Sequence, residues 1–261
     1  VTPDILFCGD PHGRFDHIIE TTLNHKPDAI VLLGDLNAPQ PLSQVLAEIL
    51  EICPVYWIHG NHDTDRESDY DHIYNDPGHP RLHAIHARIA TIVGANGSSL
   101  RIAGLGGVFR GRVWMPGHRS RTRGSVNTVP AAGLSKNQFL ARIGKGNRWR
   151  GGLPLKQRST IFPEHVKALT GEHCDILVTH EAPGSHPHGF VVLDRLAESM
   201  KARRIFHGHH HDDIAYPVHA PIEPAPALQA FGVGFRGIMD LHGEVLLRGA
   251  EPLDWRLQPV S

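Results

Sequence analysis

Twenty-one of the 261 residues are histidine, and histidine is the side chain most often used to hold a metal ion. Several are scattered, among them His83, His86, His118, His186, His188, His219 and His242. Others stand with carboxylates at the ends of short apolar runs. Asp10-x-His12 follows Ile5–Cys8, Gly34-Asp35 follows Ala29–Leu33, and His59-Gly60-Asn61-His62-Asp63 follows Val55–Ile58. His180 closes Ile176–Thr179, and Gly208-His209-x-His211 lies just beyond Arg204–Phe206. On an extended segment every second side chain points the same way, so Asp10 with His12, and His209 with His211, can address one ion together. Carboxylate oxygens mixed with imidazole nitrogens suit Mn, Fe or Zn. Asp10, His12, Asp35, Asn61, His180, His209 and His211 exceed the four ligands of a tetrahedral zinc. They suffice for two divalent ions sharing one carboxylate, an arrangement that hydrolyses phosphate esters. Singly, each residue has an ordinary reading as a turn aspartate, an αL asparagine or a core histidine. Five strand ends together do not.

The elements that must deliver these residues are legible as a β-α-β-α-β unit. Helical spacing runs from Phe15 to Asn24, and again from Pro41 to Glu51, where Leu42, Val45, Leu46 and Ile49 share a face. In open α/β sheets ligands bind beyond the carboxyl ends of the strands, so these ends are expected to converge. Arg88–Val93 and Leu100–Gly104 flank Ala95-Asn96-Gly97-Ser98 as a hairpin, and Gly237–Leu241 with Glu244–Leu247 forms a second. Pro163 opens a helix to Thr170, and Phe190–Lys201 is another. Residues 106–160 are rich in glycine and arginine, with one short helix around Ser135–Ile143, and read as an insertion or cap over the site. One domain spanning 1–261 is the economical organisation.

Hydrophobic residues at 40% and charged residues at 20% exclude a disordered chain. No apolar run approaches the roughly 18 residues of a membrane helix. No basic segment precedes an apolar one at the start, so no signal peptide is expected. Cys8, Cys53 and Cys174 lie in or beside apolar stretches and read as buried thiols, which fits a reducing, cytoplasmic compartment. The net charge of −1 conceals a split: residues 77–163 hold 15 Lys and Arg and no acid, leaving 11 basic against 27 acidic residues elsewhere. Such asymmetry points to an anionic, phosphate-rich substrate or partner.

Asp10-x-His12, Gly34-Asp35, Gly60-Asn61-His62-Asp63, Thr179-His180 and Gly208-His209-x-His211, in that order, resemble the calcineurin-like metallophosphoesterase superfamily. The resemblance implies an α/β fold, a two-sheet β-sandwich flanked by helices in four α/β/β/α layers. It implies that Asp10, His12, Asp35 and His211 hold one ion, that Asp35, Asn61, His180 and His209 hold the other, and that Asp35 bridges them. It further implies attack on phosphorus, in line, by hydroxide generated between the ions, with His62 protonating the leaving oxygen. An imidazole suits that general-acid role at neutral pH.

The second block departs from the Gly-Asp-x-Val-Asp-Arg-Gly of phosphoprotein phosphatases. Here it reads Gly34-Asp35-Leu36-Asn37-Ala38-Pro39, without the Asp that pairs with the catalytic histidine and without the phosphate-gripping Arg. Asn37 or Asp63 is expected to orient His62. Arg14, or an arginine of the Arg110–Arg123 cluster such as Arg110 or Arg112, is expected to grip phosphate, since a guanidinium matches phosphate oxygens. The missing Arg and the acid-free insertion favour a phosphodiesterase acting on a nucleotide or nucleic acid. A phosphomonoesterase or phosphoprotein phosphatase is the alternative, and a catalytically idle binding scaffold belongs to another class. Trp114, Phe139 and Trp149 form either base-stacking platforms or the small core of the insertion.

Overall fold

The computed structural model describes residues 2–117, 133–217 and 228–250. His118, Arg119, Arg121, Arg123 and His219 lie outside the described residues. The first strand, β1 (Ile5–Cys8), shows how the layers arise. Ile5 and Phe7 enter one apolar cluster while Leu6 and Cys8 enter another on the opposite face. A strand covered on both sides reads as an unbroken apolar run. Then come α1 (Asp16–His25), β2 (Ala29–Leu32), α2 (Leu42–Val45), α3 (Ala47–Ile52) and β3 (Val55–Trp57). The helix expected from Pro41 to Glu51 is in fact two, because Leu46 leaves helical geometry at φ −100° and ψ 13°. Its apolar face survives the break, with Leu42, Leu46 and Ile49 all buried.

The chain continues through α4 (Glu67–Tyr74), β4 (Leu82–Ala84), β5 (Arg88–Val93) and β6 (Ser99–Leu105). Next are α5 (Lys136–Arg142), α6 (Pro163–Leu169), β7 (Ile176–Thr179), α7 (Val191–Met200) and β8 (Arg204–His207). The last strands are β9 (Ile214–Pro217), β10 (Gln229–Gly232), β11 (Ile238–Asp240) and β12 (Val245–Leu247). Helix α5 begins with a capping box: the Gln138 amide donates to the Ser135 hydroxyl and the Ser135 amide donates to the Gln138 side chain.

Two six-stranded sheets result, ordered β12-β11-β1-β2-β3-β4 and β5-β6-β7-β8-β10-β9. Strands β1 to β4 are parallel, as are β6, β7, β8 and β10, with antiparallel strands at the edges. The inner faces pack on each other through Ile5, Phe7, Val31, Val178 and Phe206. Helices α1 to α4 cover one outer face, and α6 and α7 cover the other. The expected helix–sheet–sheet–helix order is therefore present. Within residues 106–160, Val113 and Phe139 pack with Leu153, Phe162 and the flank of Trp114. Arg150 and Arg158 lie on the face of Trp149 at 4.1 and 4.7 Å. Trp114 and Phe139 thus belong to a small core, while Trp149 also meets Tyr70 edge-on at 5.1 Å.

Phe7 and Phe206 hold the sheets together at their centre, stacked in parallel with ring centroids 3.7 Å apart. Phe206→Ala should cost about 3–5 kcal/mol, read as a lowered midpoint of denaturant unfolding. A change below about 1 kcal/mol would mean that this contact does not carry the sandwich.

Candidate metal centre

Each sequence-chosen residue sits where a parallel strand ends. Strands β1, β2 and β3 lead into Asp10, Asp35 and Asn61, while β7 and β8 lead into His180 and the His209–His211 turn. His180 is central. Its Nδ1 lies 3.7 Å from Asp10 Oδ1, and its Nε2 lies 3.4 Å from Asp35 Oδ2 and 3.2 Å from Asn61 Oδ1. His12 Nε2 is 3.7 Å from Asp35 Oδ2, and His211 Nε2 is 3.9 Å from Asp10 Oδ2. The His209 ring lies 4.9 Å from that of His180, and its amide donates to Asp10 Oδ2 at 2.8 Å. The ligand atoms of Asp35, His180 and His209 all fall within 4.8 Å of one another. All seven residues form one contiguous group, and the His62 ring stands beside it, 5.3 Å from that of His12.

Backbone strain concentrates at the same place. Asp10, His12, Asp35, Asn37, His209 and His211 all have φ between 32° and 70°. A non-glycine residue held there costs roughly 1–3 kcal/mol, and such residues cluster at functional sites. Glycine supplies the space between them. A Cβ on Gly208 would stand 2.6 Å from Asp10 Oδ1, and one on Gly60 would collide with Asp35.

Comparison with known proteins decides the family. Residues 3–213 match the family model described as calcineurin-like phosphoesterase. The chain belongs to that family. A Haemophilus influenzae protein, itself termed uncharacterized, is 37% identical over 244 residues, covering 94% of this chain and 96% of its own. The crystal structure of TT1561 of Thermus thermophilus aligns with a TM-score of 0.53 at 15% identity, over 94% of this chain and 97% of that one, which shows a shared fold. The protein is thus a metallophosphoesterase, a metal-binding hydrolase of phosphate esters.

The electrostatics of this phosphoesterase explain why its centre needs cations. Asp10 and Asp35 are 0% and 1% exposed. Burial pushes the Asp10 carboxyl up to about 8, against the pull of His180. Burial would raise Asp35 too, yet His180, His12 and His62 hold it well below the usual carboxylate range. His180 shows the mirror image: burial alone would lower it, but Asp35 and Asp10 raise it to about 10. Asp10 Oδ1 is buried with no hydrogen-bond partner among the described residues. Buried carboxylates, an orphaned oxygen and converging imidazoles fit divalent ions well.

Around the centre, the sequence reading needs correction at the phosphoesterase's accessory positions. The hydrogen bonds of Asn37 and Asp63 go to the backbone around His62. Asn37 donates its side-chain amide to the His62 carbonyl, while Asp63 accepts from the amides of Asn37 and Gly60 and so staples the loops. The ring partner is Asp65, whose Oδ2 lies 2.6 Å from His62 Nδ1. The signal was the His-x-x-Asp spacing, brought onto one side by the 3₁₀ turn His62–Thr64. Arg14 is exposed, near Arg236, and Arg112 is exposed as well. Arg110 is half-buried, feels Asp65, Glu181 and Asp35, and donates to Ser159 Oγ at 3.0 Å.

Sequence reasoning missed two neighbours. Glu181 is 4% exposed, and burial pushes its carboxyl up to about 7. Phe235 packs its ring against His12 and His211, and Arg236 lies over that ring while donating Nε to the Pro11 carbonyl. A carboxylate directly after His180 was visible in the sequence, but nothing there showed that it turns inward.

Metal uptake by the ion-free phosphoesterase should release protons, because ligands must be deprotonated to bind. With His180 held as imidazolium up to about 10, affinity should rise with pH up to that value. Calorimetry in buffers of different ionisation enthalpy reads the release directly. A binding heat independent of the buffer would contradict the electrostatic picture.

Proposed function

We propose that this chain is a metal-dependent phosphodiesterase in which Asp10, His12, Asp35 and His211 hold one divalent ion and Asp35, Asn61, His180 and His209 hold the other. The observation that carries the reading is the convergence of these seven side chains around His180, with the His62–Asp65 pair at their edge. Mixed carboxylate and imidazole donors suit Mn, Fe or Zn. When bound, such ions supply the Lewis acidity that activates water at neutral pH and offsets charge on phosphate oxygens.

The protein's own groups do the remainder. Asp35 reaches both halves of the centre and also accepts the His62 amide through Oδ1 at 2.7 Å, which ties the acid-bearing turn to the ligands. Asp65 faces Nδ1 of His62, and Nε2 delivers the proton to the leaving oxygen. The carboxylate also stabilises the imidazolium before transfer. Arg110 replaces the missing phosphate-gripping arginine: its guanidinium senses Asp35 and Asp65 and is braced by Ser159. In this reading residues 106–160 form a cap within one domain, and Arg110 reaches the site from its base.

The substrate is a nucleotide or nucleic-acid diester of modest reach. Much of the excess cation is already engaged: Arg81 donates to the Leu50 and Glu51 carbonyls, Arg148 to Leu140, and Arg150 to Asp71 and Glu67. That favours a small ester over a long polyanion, whose binding would need a continuous basic face. Cys8, Cys53 and Cys174 are free and buried, which supports a reducing compartment such as the cytoplasm. No helix among the described residues is long and apolar enough to cross a membrane.

The Mn-loaded protein should hydrolyse bis-p-nitrophenyl phosphate faster than p-nitrophenyl phosphate. The reverse order would make it a phosphomonoesterase, and no turnover of either with ions bound would favour an idle scaffold. His62→Ala should keep its metal content and lose about 10²–10⁴-fold in rate on esters with poor leaving groups. On p-nitrophenyl esters, whose leaving group needs no proton, the loss should be much smaller. Equal losses on both would remove the acid role from His62, and unchanged rates in Asp65→Asn would remove the orienting role from Asp65.

A further inference from the structure

Beside the centre lies a second group with the same closeness of ligand atoms. Among the described residues two triads of histidine or carboxylate bring their ligand atoms within 4.8 Å of one another: Asp35 with His180 and His209, and Glu181 with His209 and His210. The first belongs to the paired site. Of the second, Glu181 and His210 have no role in the mechanism above.

Its members are poorly explained by packing alone. Glu181 follows strand β7, where Thr179 Oγ1 donates to the Glu181 carbonyl at 2.7 Å and fixes the turn. Its Oε1 accepts the Phe109 amide at 3.0 Å, which uses one oxygen of a carboxylate that is 4% exposed. Its Oε2 faces His209 Nε2 at 3.9 Å, too far for a hydrogen bond and close enough for a shared ion. His210 Nε2 is buried and has no hydrogen-bond partner among the described residues.

Neighbouring histidines behave differently, which singles His210 out. His207 gives Nδ1 to the Gly208 carbonyl and takes the Tyr216 hydroxyl on Nε2 at 2.7 Å. His186 accepts the His188 amide on Nδ1 and turns Nε2 to Asp212 at 3.3 Å. Both of these rings are fully paired. His186 also stacks on His210 with centroids 4.3 Å apart, which holds the His210 ring in place. A buried carboxylate and an imidazole held by stacking, with an unpartnered ring nitrogen, therefore bring ligand atoms within 4.8 Å of one another and of His209.

We propose that Glu181, His209 and His210 hold a third divalent transition-metal ion beside the pair. The inference rests on the paired-metal reading of the centre. Two imidazoles and one glutamate are a donor set that binds zinc with a position left open. With its ring N–H proton released to solvent as metal binds, His209 becomes an imidazolate that can serve the pair through one nitrogen and the third ion through the other. Glu181 is bonded to the residue before Arg110, so the third ion adds positive charge on the side of the site that the insertion borders. A substrate with a second phosphate group would gain most from charge placed there.

Counting bound metal tests this without measuring activity. Chelator-stripped protein is equilibrated with zinc at a fixed free concentration, and zinc per chain is read by mass spectrometry. About three ions are expected for the wild type, and about two for Glu181→Gln and for His210→Ala. His188→Ala, which removes an exposed histidine of the same lobe, should keep about three. Circular dichroism checks folding, and His210→Ala decides alone if Glu181→Gln disturbs the Phe109 anchor. Two ions in the wild type would overturn the third site and leave the pair standing. Fewer than two would bring down the paired reading as well. Three ions retained in His210→Ala, or one lost in His188→Ala, would overturn the assignment of these ligands.

Discussion

Two carboxylates, Asp10 and Asp35, are buried on either side of one imidazole, His180. Nearly everything else about the site follows from that placement. Taking an unpaired carboxylate out of water costs several kcal/mol, and one imidazolium cannot fully compensate two. The result is an uneven division, with Asp35 held ionised by His180 and Asp10 pushed towards its neutral form. In the proposed reading divalent cations would resolve the conflict, since Asp10 and Asp35 would be offset by metal charge and His180 would bind as a neutral imidazole. The ion-free centre is thus under electrostatic tension that metal relieves.

The sandwich makes this tension tolerable. Residues such as Ile5, Phe7, Val31, Val178 and Phe206 fill the space between the sheets without polar interruption. The chain turns polar beyond β1, β2 and β3, and already at the last paired residues of β7 and β8, Thr179 and His207. Asp10, His12, Asp35, His209 and His211 all occupy left-handed backbone conformations that their side chains disfavour. These turns cannot relax, because the strands before them are buried on both faces and the glycines between them leave no slack. Gly9 donates to the Gly237 carbonyl while Arg236 donates back to Gly9, clamping the Asp10 turn to the start of the neighbouring strand β11. Rigid strands thus convert core packing into ligand geometry.

How much of this was legible depended on whether the relevant physics was local. Strands β1, β2, β3, β7 and β8 were visible because burial on both faces leaves a continuous apolar signature, and each announced a polar residue at its end. The helix over 42–52 was visible as one unit although Leu46 divides it, since the apolar face does not record the break. Helix α4 was hidden: its sequence is largely charged, and only Asp69 and Ile73 are buried. Strands β4, β9 and β10 were hidden for another reason, being short and dependent on neighbours far away in sequence. At the site, ligands were legible by type and spacing. Arg110 was legible only as one of several candidate arginines, and Glu181 and Arg236 take their meaning only from where loops bring them. Formal charge does not reveal that Arg148 and Arg158 hydrogen-bond to Leu140 and Tyr70, or that the exposed Arg150 pairs with Asp71.

The pairing of His62 with Asp65 changes how the acid is positioned. In the pattern that this chain resembles, the partner aspartate comes from the second strand end. Here that place is taken by Ala38, which is 1% exposed and whose carbonyl faces His72 Nδ1 at 2.6 Å. The carboxylate arises instead from the 3₁₀ turn that carries His62 itself, so acid and partner move as one piece. That turn is fastened on the opposite side, where the Thr64 and Ser159 hydroxyls meet at 2.7 Å and Ser159 also receives Arg110. In the proposed reading Ser159 therefore stands between the arginine that would grip the substrate and the turn that carries the acid His62. Moving the aspartate from the second strand end to the turn transfers control of the acid from the sheet to the insertion. A substrate engaged by Arg110 would tighten the same hydroxyl bridge that sets His62, which couples recognition to proton delivery through a single buried side chain.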